Sequence, residues 1–519
     1  MITTLLISSG CNTQNSSVEE PAPTDVVVEE METNEDESET VETVEETEPV
    51  VEEPEVPANL GIRYVKKNNV NVRVEPSMEA EVIGKLPART EILIAEEITD
   101  ENGVVTWIRL DESIEEAHAS WISAEAVVEK KYELMYTVYE GVEYEPIREI
   151  PNFEKNPRVE VKGIYVTQHS ASNATLDKLI EIADTTEINA FVIDMKDDNG
   201  NMLFDTMAAG MFCPEANKRA PIKDMKAFVD KLKEHDIYLI ARIVTFKSPK
   251  YARRYPDRAI SYNNSSRLYK SGDNITWASP HDRQLWAYNI EVAREAAEAG
   301  FDEIQFDYVR FPATGRALDK QLDFKNPDGA SKALTIHNFL KYAREKLTPY
   351  QVYISADVFG WAATNVKDVG IGHHWEALSN VVDYMCPMMY PSHYGPNNFG
   401  LSVPDAFPYE TINGSVKDAL ARDANLENPA IMRPWIQDFT AKWVKGYISY
   451  RAPQIRAQIQ ALEDNGVNEF LLWNAVNRYT VGGLEPEVKE EVIEAETETE
   501  SGVEPVEGEA VSDTLTTED

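Results

Sequence analysis

Eight apolar runs of strand length follow one another between residues 160 and 484, and amphipathic helical segments separate most of them. Parallel strands that are covered on both faces read as continuous apolar runs, whereas strands with one exposed face alternate with polar residues. Strand and helix alternating eight times over about 320 residues predict an α/β fold, a single (β/α)8 TIM barrel. The predicted strands are 162–168, 190–196, 237–246, 303–311, 352–361, 382–390, 430–439 and 469–474.

Polar side chains gather near the carboxyl ends of these strands, the face on which barrels of this type carry their active sites. One buried acid is often a satisfied core residue, but seven strands ending in this way predict a shared site. Residues of one parity along a strand are expected to face the lumen together. The candidates are Asp194 and Lys196, Arg242, Gln305 and Asp307, Tyr353, Ser355 and Asp357, Tyr390, Ser392 and His393, Gln437 and Asp438, and Trp473 and Asn474.

Asp307 and Asp357 lie on the fourth and fifth predicted strands and suit glycoside hydrolysis, which needs two carboxyl groups flanking one bond. A spacing of about 4.8 Å between neighbouring strands would bring these groups within reach of that separation. Arg242 and Arg310 are expected to keep the carboxylates ionised, because a nearby cation favours the charged form. We therefore predict that Asp307 and Asp357 are catalytic.

The other polar candidates are expected to contact the substrate. They are Asp194, Lys196, Arg242, Arg310, Tyr390, His393, Gln437, Asp438, Trp473 and Asn474. Aromatic residues at the rim could stack on sugar rings or simply pack the barrel. They are Tyr308, Trp361, Tyr390, Tyr394, Trp435 and Trp473.

Several motifs in this region carry a family resemblance. The stretches are "NAFVIDMKDDNG", "IARIVTFK", "GFDEIQFDYVRFP", "ISADVFGW", "VDYMCPMMYPSHY", "RPWIQDF" and "LLWNAVNRYT". Together they resemble a bacterial family of glycoside hydrolases long described as a domain of unknown function, over residues 160 to 484. The resemblance implies a TIM barrel distantly similar to the alpha-amylase clan.

In that clan a nucleophilic Asp ends strand four, the acid/base ends strand five, and a carboxylate near strand seven stabilises the transition state. The resemblance assigns these roles to Asp307, Asp357 and Asp438. Two departures stand out. The clan's acid/base is usually Glu, which is one methylene longer than Asp357, and Asp438 has the opposite parity to Gln437, so only one of those two is expected to face the pocket.

Residues 60–129 form short alternating runs broken by turn residues, as in "VNVRVEPSMEAEVIGKLPARTEI", which is typical of a small all-β barrel. Together with "TWIRL" and "ASWISAEAV", this region resembles a bacterial Src homology 3 domain. Such a module could target the cell wall or serve as a spacer without a ligand. Residues 130–158 are predicted to be a linker to the barrel domain at 159–484.

The formal charge of −42 is concentrated at the two ends of the chain. Residues 1–62 contain seventeen acids and no Lys or Arg, and residues 485–519 contain fourteen acids and only Lys489, so the remainder carries about −12. Segments of this composition cannot bury enough apolar surface to fold, so 18–59 and 485–519 are predicted to be disordered spacers or tails. No basic stripe is present, and nucleic acid is not an expected partner.

The first residues, "MITTLLISSGCNTQNSS", resemble the end of a lipoprotein signal peptide in which Cys11 becomes lipidated. Residues 1–17 would then anchor the protein at the outer face of the bacterial membrane. An ordinary secretory signal, or neither, are the alternatives. The three cysteines show no metal-ligand spacing, and neither a metal nor a cofactor is expected.

These observations favour an extracellular glycosidase that cleaves a cell-wall glycan or an exopolysaccharide. The expected partners are that polysaccharide, peptidoglycan through the Src homology 3-like module, and the membrane through the lipid anchor. A non-catalytic carbohydrate-binding surface protein is the main alternative. Glycan deacetylation is a third interpretation, and the lack of a metal-ligand pattern argues against it because deacetylases commonly activate water with a metal.

Overall fold

A computed structural model describes residues 60–111, 119–147 and 149–487. The predicted anchor with Cys11, the acidic segment 18–59 and almost all of the acidic tail 485–519 lie outside these residues, so those predictions remain predictions. Within the described ranges, the helices lack the length and apolarity that a membrane span requires.

The N-terminal region is a small antiparallel sheet, as predicted for 60–129. Its strands are arranged in the order β3-β2-β6-β5-β4-β1-β7. Alternate residues such as Val70 and Val72 point into a core that also holds Val65, Ile94 and Ile122. The seven strands are β1 (Ile62–Val65), β2 (Val70–Arg73), β3 (Val82–Leu86), β4 (Glu91–Thr99), β5 (Val105–Leu110), β6 (Trp121–Ser123) and β7 (Val127–Val128).

The predicted (β/α)8 barrel is confirmed. Its strands all pair in parallel, and the last pairs with the first through Phe470 and Lys162, which closes the sheet. The strands after the N-terminal sheet are β8 (Lys162–Val166), β9 (Ala190–Lys196), β10 (Tyr238–Val244), β11 (Ser261–Tyr262), β12 (Glu303–Asp307), β13 (Leu322–Asp323), β14 (Tyr353–Phe359), β15 (Tyr384–Met388), β16 (Ile431–Met432), β17 (Trp435–Gln437) and β18 (Phe470–Trp473). Of these described strands after the N-terminal sheet, β11 and β13 lie outside the barrel and pair with each other.

Helices in the connections cover the outside of the barrel. They are α1 (Gln168–Ala171), α2 (Thr175–Thr185), α3 (Met207–Phe212), α4 (Met225–Lys233), α5 (Pro249–Arg254), α6 (Arg283–Ala299), α7 (Gly315–Asp319), α8 (Lys332–Leu347), α9 (Trp361–Thr364), α10 (Trp375–Ser379), α11 (Pro408–Asp423) and α12 (Ala452–Glu463). Local sequence sets their ends: Asp282 caps the start of α6, and Gly300, at φ 106°, ends it in the left-handed region that favours glycine.

The seventh barrel strand is interrupted, whereas the sequence predicted one run over 430–439. Pro434 separates β16 from β17 and offers no N–H to a sheet ladder. At the break the buried guanidinium of Arg433 binds Glu303 at 2.7 Å and Glu469 at 2.6 Å, and it lies 3.7 Å from the centre of the Tyr384 ring. Near the amino-terminal ends of the strands, the lumen therefore holds a cluster of buried, paired charges.

The predicted linker at 130–158 is an ordered segment over its described part, and we call residues 131–158 the strap. Asn380 donates hydrogen bonds to the carbonyls of Glu143 and Glu145, at 3.1 and 2.8 Å. Further along, Asn156 donates to the carbonyls of Asp302 and Gln351, at 2.7 and 2.9 Å. The strap thus runs along the barrel and reaches the amino-terminal ends of its strands.

Candidate active site

A cleft of about 420 Å³ opens at the carboxyl ends of the barrel strands. Among the residues predicted from the sequence, Asp307, Asp357 and Arg242 line it, together with others named below. The sheet explains this convergence. Residues 306 and 356 are paired across β12 and β14, so Asp307 and Asp357 follow at the next position on adjacent strands. Gln305 and Ser355 share their parity and lie deeper in the lumen, where both are buried.

Arg242 on β10 is the hub of the charged groups. Its guanidinium is 1% exposed and donates to Oδ2 of Asp307 from Nε, at 2.9 Å, and from Nη2, at 2.5 Å. Its Nη1 donates to Oδ1 of Asp194. The group lies 5.4 Å from the ring centre of Tyr165 and 5.8 Å from that of Trp473. Charge pairing and aromatic packing therefore hold Arg242, and through it Asp307, in one orientation.

Asp194 lies behind Arg242 and is not among the residues that line the cleft. Its Oδ2 accepts a 2.6 Å hydrogen bond from the hydroxyl of Tyr165. Burial raises the pKa of Asp194 to about 6, although the charge of Arg242 opposes the shift. Asp194 was predicted to bind substrate, and its position instead lets it anchor Arg242.

Asp357 has surroundings very different from those of Asp307. It is 2% exposed, and its Oδ1 accepts a 2.6 Å hydrogen bond from the indole Nε1 of Trp435. Burial, and then the negative charge of Asp307, raise the pKa of Asp357 well above its usual range. One cleft thus holds a carboxylate paired with an arginine and a carboxyl group whose protonated form is favoured.

The residue after Asp307 has a strained backbone. Tyr308 has φ 46°, unusual for a residue with a side chain, and its N–H donates to Oδ1 of Asp307 at 2.5 Å. Lys247 lies 4.4 Å from the centre of the Tyr308 ring and binds Asp198 at 3.2 Å and Asp273 at 2.8 Å. The strained backbone at Tyr308 places its ring in the wall of the cleft, next to Asp307.

Asp198 is a cleft residue that the sequence reasoning missed. It follows β9, lines the cleft and lies 3.5 Å from Nη2 of Arg242. Burial tends to raise the pKa of Asp198, but the charges of Arg242 and Lys247 outweigh burial and lower it. The available signal was the pair of acids, Asp197 and Asp198, directly after the second predicted strand.

The structure places Lys196 outside the barrel. The register between β9 and β10 shifts after Asp194, so that Ile243 pairs with Lys196 and Met195 forms a bulge. A bulge changes which face the following side chain occupies. The buried ammonium of Lys196 donates to Asn289 on α6 and lies 5.0 Å from the ring centre of Tyr288. Lys196 therefore does not line the cleft, contrary to the expectation that it contacts the substrate.

Three other predicted residues bind neighbouring loops and do not line the cleft. Gln437 accepts from the backbone N–H of Ser392 and donates to Asp405, both at 3.1 Å. The Asp438 carboxylate accepts from the hydroxyl and the backbone N–H of Thr480, at 2.6 and 2.7 Å. Asn474 donates to the carbonyl of Asp438 at 2.6 Å. The expectation that one of Gln437 and Asp438 faces the pocket is thus not met, and Asp198 is a third cleft carboxylate.

The remaining predicted residues, Arg310, Tyr390, His393 and Trp473, all line the cleft. The Arg310 guanidinium lies 5.0 Å from the ring centre of Tyr308. All six predicted rim aromatics line the cleft as well, namely Tyr308, Trp361, Tyr390, Tyr394, Trp435 and Trp473. Trp361 is the most open of the tryptophans among them, at 39% exposed, and offers a face on which a sugar ring could stack.

Three smaller contributors were not predicted, namely Phe359, Gly360 and Met388. Gly360 has a specific packing reason. A Cβ at this position would meet the carbonyl oxygen of Met388 and the hydroxyl of Tyr394, each at 2.5 Å. The "DVFGW" stretch carried this glycine in plain view, but a close backbone approach leaves no mark on the hydrophobic pattern.

Comparisons with known proteins place the chain among other sequences and folds. No curated protein matches the chain significantly. A crystal structure of a hypothetical protein from Ruminiclostridium thermocellum is 35% identical and covers 38% of this chain and 97% of its own, with a TM-score of 0.34. The PgaB (BpsB) glycoside hydrolase domain from Bordetella bronchiseptica is 12% identical and covers 61% of this chain and 94% of its own, with a TM-score of 0.45. The PelA glycoside hydrolase domain from Pseudomonas aeruginosa is 12% identical, covers 62% and 96%, and has a TM-score of 0.35.

The family comparison spans the whole barrel. Residues 163–479 match the model of the family described as "Putative glycosyl hydrolase domain". The matched segment begins in β8 and ends after β18, so it contains every barrel strand and both candidate catalytic acids. This protein therefore belongs to that glycosyl hydrolase family and is a glycosidase.

Proposed function

We propose that the barrel cleaves an extracellular polysaccharide, with Asp357 as the proton donor and Asp307 as the nucleophile or base. The observation that carries this proposal is the contrast between two carboxyl groups in one cleft. Asp307 accepts two hydrogen bonds from Arg242, while Asp357 is buried with a raised pKa. Glycoside hydrolysis needs an acid and an ionised partner flanking one bond.

The hydrogen bonds also suggest which oxygen of Asp357 carries the proton. Oδ1 accepts from the Trp435 indole, which can only donate. The proton would therefore sit on Oδ2 and pass to the glycosidic oxygen as the bond between that oxygen and the anomeric carbon breaks. Asp307 would then bond to the anomeric carbon, or take a proton from the water that does. In the first case water later hydrolyses the glycosyl ester, with Asp357 now acting as the base.

The rest of the cleft suits a sugar chain. Trp361 and Tyr308 offer aromatic faces, and Asp198 and His393 offer polar groups to hydroxyls. The cell-wall or exopolysaccharide class of the substrate, and the position at the outer face of the membrane, rest on the lipoprotein-like sequence around Cys11 and on the Src homology 3-like region. We include both in the proposal, with peptidoglycan as the ligand of that N-terminal module.

Reducing-end release from purified cell-wall glycans and exopolysaccharides tests the reaction. On any glycan that the protein cleaves, Asp307→Asn should lower kcat by about 10³-fold or more. Asp257→Asn is the matched control, because Asp257 is an exposed acid outside the cleft. Full activity of Asp307→Asn would refute the assignment. Proton NMR of the first-formed anomer distinguishes retention from inversion.

A further inference from the structure

A second cavity, of about 610 Å³, lies beside the catalytic cleft and is rich in cations. Its lining includes Lys218, Arg219, Lys250 and Arg253, and Glu215 is the acid among the lining residues. This composition is unusual for the molecule, since the chain between its two acidic ends carries a net charge of about −12. We call it the basic cavity.

The basic cavity and the catalytic cleft share a wall. The loop after β9 presents Asp198 to the cleft and Asn199 and Asn201 to the basic cavity. The carboxylate of Asp197 holds this loop by accepting from the N–H groups of Asn199 and Asn201, at 2.9 and 2.7 Å. A chain that leaves the cleft over this loop would enter the basic cavity directly.

The basic cavity holds more cations than its lining acid can pair. Glu215 pairs with Arg254 at 3.4 Å, and its carbonyl accepts from Nζ of Lys250 at 2.7 Å. Over the described part of the chain, Lys218, Arg219 and Arg253 form no ion pair, and all three are exposed. Burial is the main cause that lowers the pKa of Lys250; repulsion by Arg219 and Arg253 adds to the shift, and the charges of Cys213 and Asp197 oppose it. A bound anion would relieve that repulsion.

We propose that the basic cavity is an extension of the substrate site that binds the anionic groups of an acidic glycan, either sugar carboxylates or phosphodiesters. The inference rests on the proposed function, because it assigns the chemical class of the chain that the cleft would cut. Arginine and lysine together suit both anions, since the guanidinium can bind two oxygens at once and the ammonium acts as a point charge.

Binding to a full-length Asp307→Asn protein tests the proposal without requiring cleavage. The first probe is hexagalacturonate, compared by calorimetry at low salt with its fully methyl-esterified form, which keeps the backbone and loses the charge. The second is a phosphomannan, compared with its dephosphorylated form. At least one anionic probe should bind about tenfold or more tighter than its neutral partner, and the pair that does so identifies the anion.

Charge reversal localises that binding. Arg219→Glu combined with Arg253→Glu should weaken binding of the anionic probe by about tenfold or more. Lys178→Glu combined with Lys417→Glu is the matched control, because both residues are exposed, lie outside the basic cavity and change the net charge equally. The control should stay within about twofold.

Three results would overturn the proposal. They are binding of neither anionic probe, equal binding of charged and neutral probes, and equal losses in the two charge-reversed proteins. Failure of the proposed function is a separate result, namely full glycosidase activity in Asp307→Asn. The ratio of affinities for the anionic and neutral probes does not depend on whether Asp307→Asn is active.

Discussion

The indole of Trp435 on β17 donates to one oxygen of the Asp357 carboxyl group on β14, at 2.6 Å, across the intervening strand β15. Trp435 follows Pro434, at the point where the interrupted seventh strand resumes. The contact stabilises the ionised form of Asp357, although burial and Asp307 still raise its pKa. The indole therefore influences both the orientation and the acidity of the proposed proton donor.

Replacing Trp435 with Phe should move the alkaline limb of the kcat profile to higher pH. The indole hydrogen bond lowers the pKa of Asp357, so its loss raises that pKa, and the acid stays protonated further into the alkaline range. We also expect kcat to fall by about tenfold, the equivalent of one hydrogen bond of about 1–1.5 kcal/mol. The measurement is kcat as a function of pH.

Trp473→Phe is the matched control for this experiment. Trp473 also lines the cleft and meets the Trp435 ring edge-on at 5.5 Å, yet its hydrogen-bond donor does not reach Asp357. Its alkaline limb should stay in place. A limb that moves equally in both variants would mean that packing, and not the indole N–H, sets the acidity.

Asp357→Asn should lose activity in proportion to the need of the leaving group for a proton. On a natural glycan the expected loss in kcat is about 10²–10⁴-fold, the usual contribution of a general acid. On an aryl glycoside of the same sugar with an acidic phenol as leaving group, the loss should be much smaller. Equal losses on both substrates would exclude Asp357 as the proton donor.

Removing the anchor behind Arg242 should affect catalysis more than binding. Asp194→Asn leaves the cleft lining intact but removes the charge that Nη1 of Arg242 binds. We expect kcat to fall by about tenfold with little change in KM, because the orientation of Asp307 is loosened. Asp194→Glu should recover part of the loss. A change confined to KM would instead place Asp194 at the substrate.

Arg242→Gln is the more severe change at this hub. It would leave two buried carboxylates, Asp194 and Asp307, without their cation. Breaking a buried ion pair by removing one partner costs about 3–5 kcal/mol. Urea denaturation should show a loss of that size, and adding Asp194→Asn to Arg242→Gln should restore part of it. No recovery in the double variant would argue against a direct pairing energy.

Asp438→Asn tests the role that the alpha-amylase clan would assign to the seventh strand. Both carboxylate oxygens of Asp438 are occupied by Thr480, away from the cleft. We therefore expect kcat to stay within about threefold of the parent, with some loss of thermal stability from the weakened contacts. A loss of kcat as large as that of Asp357→Asn would show that Asp438 acts on the substrate.

His374 should make the protein less stable in mild acid. Burial lowers its pKa from 6.5 to about 4, although the charge of Glu376 opposes the shift. As the pH falls from 6.5 towards 4, the unfolded chain binds a proton at this residue that the folded chain does not. The free energy of unfolding therefore falls by up to about 1.4 kcal/mol per pH unit from this group.

His374→Gln should remove that contribution. Other groups titrate in the same window, so the comparison is the difference in slope between parent and variant, measured by urea denaturation between pH 7 and pH 4.5. The variant's curve should be flatter. Parallel curves would mean that His374 has nearly the same pKa in the folded and the unfolded chain.

The sequence pattern predicted those features that depend on alternation within one strand. Asp307 and Asp357 were found because each ends an apolar run whose neighbours of the same parity, Gln305 and Ser355, also face the lumen. The barrel was predicted from the repeated alternation of apolar strand and amphipathic helix, a pattern that is present in the sequence before the sheet closes. These properties are local, and packing only reinforces them.

The features that were missed depend on backbone irregularity. The bulge at Met195 turns Lys196 outward, and the residue letters do not record a change of register. The break at Pro434 lets Gln437 and Asp438 bind the loops around Ser392 and Thr480 instead of the cleft. Asp198 escaped notice because it reaches the cleft from a loop, where no strand parity applies.

The strap extends the length of chain that must be transferred for this enzyme to fold stably. The family match begins at residue 163, yet Tyr144 packs edge-on against His374, and Phe153 packs against Tyr353. A gene fragment that began at residue 163 would lack Tyr144 and Phe153. His374 and Tyr353 would then face water, and the amide of Asn380 would lose its backbone partners. The barrel alone is therefore not an independent folding unit. A gene fusion or an expression plasmid must carry at least residues 131–487 to yield a stable enzyme.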